Sequence, residues 1–483
     1  MAVPASFLSF DVFPLGFEDL PKESNFAISD VDQVIPANFI PPCLIFTLPP
    51  TAIKDEIILN LRTGLQSVLT CIPLLGAKLR NDTTTNQVDF VRKSHEPITL
   101  NVHHLDQSTD SFPTYEMLAA TGFSPGIIAR NVTSLTPPHF DIHRFRRDDG
   151  CPVAGFQANF IHGGLILSLV LHHMCGDAKS TDHVFALWAA STKAAMNGQP
   201  MPSFEPSLNR SYFNANSTPS PAETESLKSG VKGFGYHEIH NIDANGVVTN
   251  EPPPRPVTTI QIYHFGTDDC HRLKSACTPT QPGAYVSTYD CIAAATWRAM
   301  VRARLPYLGM DAASTKSNYS HPVDTRGRFP SLVRKEYFGN GFIMALTESI
   351  SIDALISEGG LAQAASAIRQ SILDVKSTSI PDLVHVRRGI QGSQTMEWDW
   401  QPQNVMGTSW TGMRLLEAYD FGFGFPKALR IPVPPYEGLL GVLPAVGEDG
   451  QKDGFDVFVV MEKECSDRMT LDGDYTAYCS VRG

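Results

Sequence analysis

Ile53, Ile57, Leu61, Leu65 and Val68 recur at spacings of three and four, which lines up one apolar face and predicts a helix over 52–69. Thr51 stands where a cap would, Asp55 and Glu56 fall in the first turn where the helix dipole favours them, and Pro73 ends the segment. A second helix is predicted over 180–196, closed by Asn197 and Gly198. Just ahead of it, 164–172 is an apolar run of strand length and reads as a buried strand. Polarity alternates through 257–265, a strand signal. Residues 287–304 then read as a helix that turns Ile292, Trp297, Met300 and Val301 toward a core.

Between these patterned stretches the chain changes character. From 198 to 256, segments such as QPMPSFEPSLNRSYFNANSTPSPAE and NEPPPRP are rich in Pro, Ser and Asn with little periodicity, which predicts a linker or long crossing loop. A length of 483 residues allows three domains of roughly 150 residues each. The crossover favours two: a first domain over 1–197 and a second over 257–483, joined by 198–256. Strands mixed with helices in both halves predict an α/β (α+β) chain built of packed layers.

Composition narrows the function. Lys plus Arg (38) against Asp plus Glu (50) leaves a net charge of −12, which argues against a non-specific nucleic-acid binder. A local pocket can still oppose that charge and hold phosphates. The nine cysteines are scattered with no C-x-x-C pair, so neither a disulfide scaffold nor a zinc ribbon is indicated. The opening MAVPASFLSFDVFPLG has no basic region and is broken early by Asp11 and prolines, so no signal peptide is read there. No window approaches about 18 apolar residues, so no membrane span is expected and the cytoplasm is the expected compartment.

The stretch LHHMCGDA, 171–178, carries the most chemistry: an apolar strand ends at His172 and His173, a turn with Gly176 follows, and Asp177 leads into a helix. A histidine at a strand end is held by the sheet while its ring meets a cleft, and its pKa lies near the working pH, as a general base requires. Taken alone, such a pair is more commonly a core-edge histidine with a satisfied hydrogen bond. The pair His103 and His104, in a more polar context, reads as structural. His172, His173 and Asp177 could also be imagined as metal ligands, but adjacent strand residues point to opposite faces and do not easily share an ion, so no metal is expected. Cys175 as a nucleophile is the weaker reading against a small loop residue. A serine hydrolase is disfavoured because no G-x-S-x-G occurs.

At this point the chain resembles the BAHD acyl-CoA-dependent acyltransferases, in particular their fungal branch of trichothecene 3-O-acetyltransferase type. The family's H-H-x-x-x-D is matched by His172, His173 and Asp177, and its D-F-G-W-G by Asp420, Phe421, Gly422, Phe423 and Gly424. Between them, V-D-x-R falls on Val323–Arg326 and Y-F-G-N on Tyr337–Asn340, while T-S-W falls on Thr408, Ser409 and Trp410. Ser287 and Thr288 followed by Trp297, and Pro73–Leu79 near the start, also fit in order. Phe423 stands where the family has Trp, and Ala178 where plant members have Gly; neither touches the proposed base.

The resemblance implies two chloramphenicol-acetyltransferase-like domains, each a mixed sheet with flanking helices, with a segment near 410–430 crossing to the first. It implies acyl-CoA, acetyl-CoA above all, as co-substrate and a small specialised metabolite as acceptor of the acyl group at a hydroxyl or amine. His173 becomes the base, with no acyl-enzyme, and Asp177 shapes its loop. Thr408 and Trp410 would face the tetrahedral intermediate, and Ser287, Thr288, Lys274 and Arg298 would hold CoA. Asp420, with Gly422 and Gly424, would lock onto Arg326. A monomer without membrane or nucleic-acid partners is expected, with a cationic patch at the channel mouth. A same-fold binder that does not acylate, or a condensation-type catalyst, stays open as the alternative.

Overall fold

A computed structural model of the chain describes residues 6–82, 87–107, 112–142, 148–238, 256–279, 283–390, 394–399, 401–432 and 436–482. Two seven-stranded mixed sheets form its framework, with helices packed on each. In the first, Gly164–His172 lies between Ala154–Ile161 and Cys43–Thr47, and Phe39–Ile40 pairs with its last two residues. All nine residues of Gly164–His172 are buried. Burial on both faces explains an apolar run where a half-exposed strand would alternate. The edge next to Cys43–Thr47 is taken by Ala428–Arg430, far along the chain, with Ala428 opposite Ile45 and Arg430 opposite Cys43.

The second sheet runs Phe342–Leu346, Tyr319–Asp324, Val405–Ser409, Leu439–Val446, Lys452–Glu462, Thr258–Phe265 and Ser480–Arg482. Val405–Ser409 is parallel to both its neighbours, and its C-terminal end, with Thr408 and Ser409, lies beside Gly441 and Val442 in the middle of Leu439–Val446. The helix Thr288–Leu308 packs on this half. Ser287 caps it in a capping box with Asp290, and Gly309 closes it in a left-handed conformation. Ile292, Trp297, Met300 and Val301 are buried there, as their spacing predicts.

Two helices behind the first sheet show where local pattern and packing part. The first is Lys54–Cys71, with Ile53 at its cap position, so Thr51 lies outside it and no side chain caps it. Ile57, Leu61, Leu65 and Val68 are buried, but Ile53, ahead of the first turn, is 57 % exposed. The second is Ala178–Met196, two residues longer at its start than its periodicity suggests, because the Asp177 carboxylate caps it by accepting from the Ser180 N–H at 3.0 Å. The two pack together, and Trp188 Nε1 donates to the Leu61 carbonyl at 3.0 Å.

The crossover differs from its reading as an unpacked linker. A turn at Ser211–Phe213 buries Phe213, the helix Pro221–Lys228 starts at a Ser220–Glu223 capping box, and Phe234–Glu238 pairs with Gln394–Trp398 as a two-stranded ribbon. These elements are too short to raise a periodic signal over Pro- and Ser-rich sequence. Residues 239–255, with nearly all of NEPPPRP, lie outside the described residues.

Candidate active site

His173 follows the last residue of Gly164–His172, and its backbone is held from both sides. Its N–H donates to the Asn38 carbonyl at 2.8 Å, and its carbonyl accepts from Asn340 Nδ2 at 2.8 Å. The two histidines face apart, as strand alternation requires. His172 is fully buried, with Nδ1 accepting from the Met174 N–H at 3.3 Å and its ring edge-on to Phe39. The His173 ring meets a cavity of about 1280 Å³, which is also lined by Asn38, Trp398, Met344, Met406 and Thr408–Met413. Trp398 stands perpendicular to the His173 ring, with centroids 6.3 Å apart. Burial pushes the His173 pKa below its ordinary value, with its own backbone and the Asp177 charge pulling the other way. The net result is a neutral imidazole, the form that accepts a proton.

Asp177 borders the cavity, but both its carboxylate oxygens are already committed to hydrogen bonds. Oδ1 accepts from Ser180 N at 3.0 Å and Arg326 Nη2 at 3.1 Å, and Oδ2 accepts from Arg326 Nη1 at 3.0 Å and Gly341 N at 3.0 Å. Burial opposes its ionisation, but the Arg326 charge and these bonds outweigh it and hold the carboxyl below the usual range. Arg326 also donates to the carbonyls of Tyr337 at 2.9 Å and Gly339 at 2.7 Å, so V-D-x-R and Y-F-G-N close onto the helix that follows His173. Gly341 permits this, because a Cβ there would sit 2.6 Å from the guanidinium carbon. Ser180 and Gly339 exchange hydrogen bonds at 3.0 Å in both directions.

Several supporting groups gave no signal in the sequence. Asp32 accepts from Asn340 Nδ2 at 2.8 Å and pairs with buried Arg210, whose Nη2 donates to the Cys175 carbonyl at 2.7 Å. Arg210 comes from the stretch read as a linker, and thus ties the crossover to the turn after His173. On the cavity wall, the Tyr289 hydroxyl lies 3.2 Å from that of Tyr319 and 3.1 Å from His321 Nδ1. Burial pushes His321 down to about 3, leaving a neutral hydrogen-bonding group.

The expected lock between Asp420 and Arg326 is corrected. Arg326 belongs to Asp177, and Asp420 pairs with Lys193 at 2.6 Å while accepting from Gly422 N at 2.9 Å. Asp420 lies against the last turn of Ala178–Met196, whereas Arg326 grips that helix at its start. Gly422 has φ 92, and a Cβ there would meet Met196 Sδ at 2.5 Å, so the D-F-G-F-G turn presses on the helix end where a larger residue would not fit. Phe421 and Phe423 insert against Phe46, and Phe421 against Trp188. Phe423 therefore fills the family's Trp position with an aromatic contact. None of the residues Asp420–Gly424 lines the cavity.

Thr408, Ser409 and Trp410 do line the cavity, with the main chain of Trp410 fixed by its N–H to the Val442 carbonyl at 2.8 Å. Ser287, Thr288, Lys274 and Arg298 do not line it. Ser287 is the helix cap, Lys274 is exposed on Thr267–Ala276, and Arg298 donates to the carbonyls of Leu355, Ile356 and Ser357. Thr288 leads into Tyr289, which does reach the wall. The cations on the wall, Lys179 and Arg326, are each bound to a carboxylate, Asp182 and Asp177, so among the described residues no unpaired cationic patch lines the cavity. Among the described residues, no three His, Cys, Asp or Glu side chains gather as a metal-binding group, and no helix is long and apolar enough to cross a membrane.

Cys175 lies two residues from His173, but burial pushes its thiol up to about 12, and it is fully buried. A thiol at that pKa holds almost no thiolate at neutral pH. Cys175→Ala is therefore expected to keep turnover within about threefold of the parent, measured by steady-state thiol release; loss of turnover with the fold intact would establish an acyl-cysteine.

Comparison with known proteins gives the family and the fold. Residues 39–191 match the trichothecene 3-O-acetyltransferase-like N-terminal domain, and residues 141–469 match the transferase family. An acetyltransferase of Gibberella zeae, FGR3, is 24 % identical over 98 % of this chain and 94 % of its own. The trichothecene 3-O-acetyltransferase of Fusarium sporotrichioides is 26 % identical over 77 % of this chain and 78 % of its own. Among solved structures, F. graminearum TRI101 complexed with coenzyme A and deoxynivalenol superposes with a TM-score of 0.75 at 20 % identity, over 95 % of this chain and 100 % of that one. Vinorine synthase superposes at 0.65 with 14 % identity, over 95 % of each chain, so the fold is the two-domain one of these enzymes. The match over 141–469 spans more than half of the chain, and on it this chain belongs to the transferase (BAHD) family and is an acyltransferase.

Proposed function

We propose that the protein transfers an acyl group, acetyl foremost, from acyl-CoA to a hydroxyl or amine of a small apolar metabolite, with His173 as general base and both substrates bound at once. The observation that carries this reading is a neutral imidazole on the wall of a cavity of about 1280 Å³. That volume exceeds the roughly 300–1,000 Å³ usual for one small ligand, and suits a thioester arm and an acceptor together. The F. graminearum TRI101 structures complexed with coenzyme A, ethyl coenzyme A or deoxynivalenol support the substrate classes.

In this reading the His173 ring takes the proton of the acceptor O–H as that oxygen attacks the thioester carbonyl. The carbonyl π pair moves onto oxygen, toward proposed donors at Thr408 and Trp410. Collapse of the intermediate breaks the C–S bond, and the imidazolium returns its proton to the departing thiolate. No covalent enzyme intermediate is required, because one base serves two positioned substrates. Asp177 acts as a positioning residue: its four acceptor contacts hold the loop that presents His173. Ser287, Thr288 and Lys274 are proposed contacts for the part of CoA outside the cavity; Arg298 is not, since its guanidinium is committed to three backbone carbonyls. The compartment is proposed to be the cytoplasm and the working unit a monomer.

The test is to incubate the purified protein with acetyl-, malonyl- and longer acyl-CoAs and a metabolite extract, following thiol release and acceptor mass together. Absence of both with every donor overturns the reading.

The pH profile follows from the sign of the shift. The active base is unprotonated, and burial lowers its pKa from 6.5. kcat/KM is expected to hold its plateau down through pH 6.5 and to fall tenfold per unit only below the lowered pKa. A half-maximal point above about pH 7 in steady-state assays would mean that another group titrates.

A further inference from the structure

The proposed function leaves the acceptor undefined beyond an apolar body with a reactive hydroxyl or amine. Two polar atoms beside His173 say more. Trp398 lines the cavity and stands edge-to-face with the His173 ring, yet its Nε1 is buried and has no hydrogen-bond partner among the described residues. Asn38, whose main-chain carbonyl fixes the His173 N–H, likewise presents a buried side-chain Oδ1 with no partner. Its Nδ2 reaches only the Phe39 carbonyl, at 3.4 Å. Near the Asp177 clamp the Tyr337 hydroxyl and Asn340 Oδ1 also lack partners, but neither residue lines the cavity, whereas Asn38 and Trp398 do.

An unpaired donor and an unpaired acceptor in a desolvated wall are costly to keep unless a ligand satisfies them. The surroundings limit what that ligand is. Phe342, Met344, Met406 and Leu439 form an apolar wall on which Trp398 packs, and the charge next to it, Glu397, is exposed and negative. A carboxylate would be stranded there. A hydroxyl suits both orphans, because its oxygen accepts from an indole N–H while its hydrogen donates to an amide oxygen.

We propose that Trp398 and Asn38 read a second hydroxyl of the acceptor, next to the one acylated at His173, so that the preferred substrate is an apolar diol. This rests on the acyl-transfer reading above. Trp398 Nε1 donates to the second oxygen and Asn38 Oδ1 accepts its proton; the apolar wall holds the carbon skeleton. The attacking oxygen is thereby oriented on His173, so discrimination is expected in kcat/KM rather than in CoA binding. An acceptor without the second hydroxyl leaves both orphans unpaired, and sites built this way reject such analogues strongly.

The probes are a decalin-1,2-diol and decalol, assayed with acetyl-CoA against wild type, Trp398→Phe and Asn38→Ala, each checked for folding by circular dichroism and thermal melting. Wild type is expected to prefer the diol by about tenfold or more in kcat/KM per hydroxyl. Each substitution is expected to shrink the ratio of diol to decalol, about tenfold for Trp398→Phe, and to leave the KM for acetyl-CoA in place. An equal loss on both probes, or an unchanged ratio in two folded variants, overturns the proposal. If wild type acylates neither probe, calorimetric titration with the diol and decalol decides. Tighter diol binding that Trp398→Phe abolishes supports the diol site even as acyl transfer fails, and equal binding overturns it.

Discussion

His173→Ala is expected to lower kcat/KM by about 10²–10⁴-fold while the protein still folds and melts as the parent does. Both halves of that result follow from how the residue is held. Its N–H and carbonyl, bound by Asn38 and Asn340, are what the fold uses, and alanine keeps both. Its ring does no structural work of that kind: it stands against Trp398 on the cavity wall, and Nδ1 makes no well-formed hydrogen bond with another residue. Removing the ring therefore deletes a proton acceptor and little else. The measurement is steady-state thiol release paired with thermal unfolding. Transfer by the folded variant at the parental rate would exclude His173 as the base. Near-complete inactivation with an unchanged affinity for CoA would match it.

Asp177→Ala is expected to cost about 3–5 kcal/mol of stability, and activity with it, by the ordinary cost of stranding one partner of a buried ion pair. Arg326 would keep Asp324, whose own ionisation is disfavoured by burial, and the carbonyls of Tyr337 and Gly339. It would lose its buried counter-charge. The N–H groups of Ser180 and Gly341 would lose their acceptor too, so the cap of Ala178–Met196 goes with the salt bridge. Asp177→Asn should lose less, because an amide oxygen can still cap the helix. The pH dependence has a definite sign. Asp177 has a lowered folded pKa, so its contribution is complete above the ordinary carboxylate value of 3.8 and is lost as pH falls through the folded value. Urea unfolding at neutral and acid pH reads both effects. A parental midpoint in Asp177→Ala at neutral pH would show that the clamp carries no stability.

Much of the site was legible one segment at a time. The apolar run ending in two histidines placed a strand, and alternation put their rings on opposite faces; the family resemblance singled out His173, and only the structure showed that His172 is the core one. The three- and four-residue spacing over 57–68 identified the helix behind the sheet, although Ile53 fell outside it because pattern alone does not mark the first turn. Other residues were illegible for a physical reason. Arg210 sits in Pro- and Ser-rich sequence that no periodicity distinguishes, and its worth comes wholly from Asp32 and the Cys175 carbonyl. Trp398 is one tryptophan on a short ribbon, conspicuous only beside the His173 ring.

The motifs showed the same division between knowing a residue and knowing its partner. Asp420 and Arg326 were both marked, and the expected bond between them was wrong. The helix Ala178–Met196 is long enough for one motif to grip its start through Asp177 and the other its end through Lys193. A charge pair is chosen by distance in space, and spacing along a chain of 483 residues says nothing about that. By itself the sequence determined the mixed α/β class, the strand that ends just before His173, the helix that follows and the acidic balance, because these depend on local periodicity and composition. Only the tertiary structure decided that Asp177 belongs to Arg326, that the crossover reaches into the site, and that Asn38 and Trp398 flank His173. Those follow from which surfaces two sheets bring together, and burial then fixes what each buried charge or hydrogen bond must find.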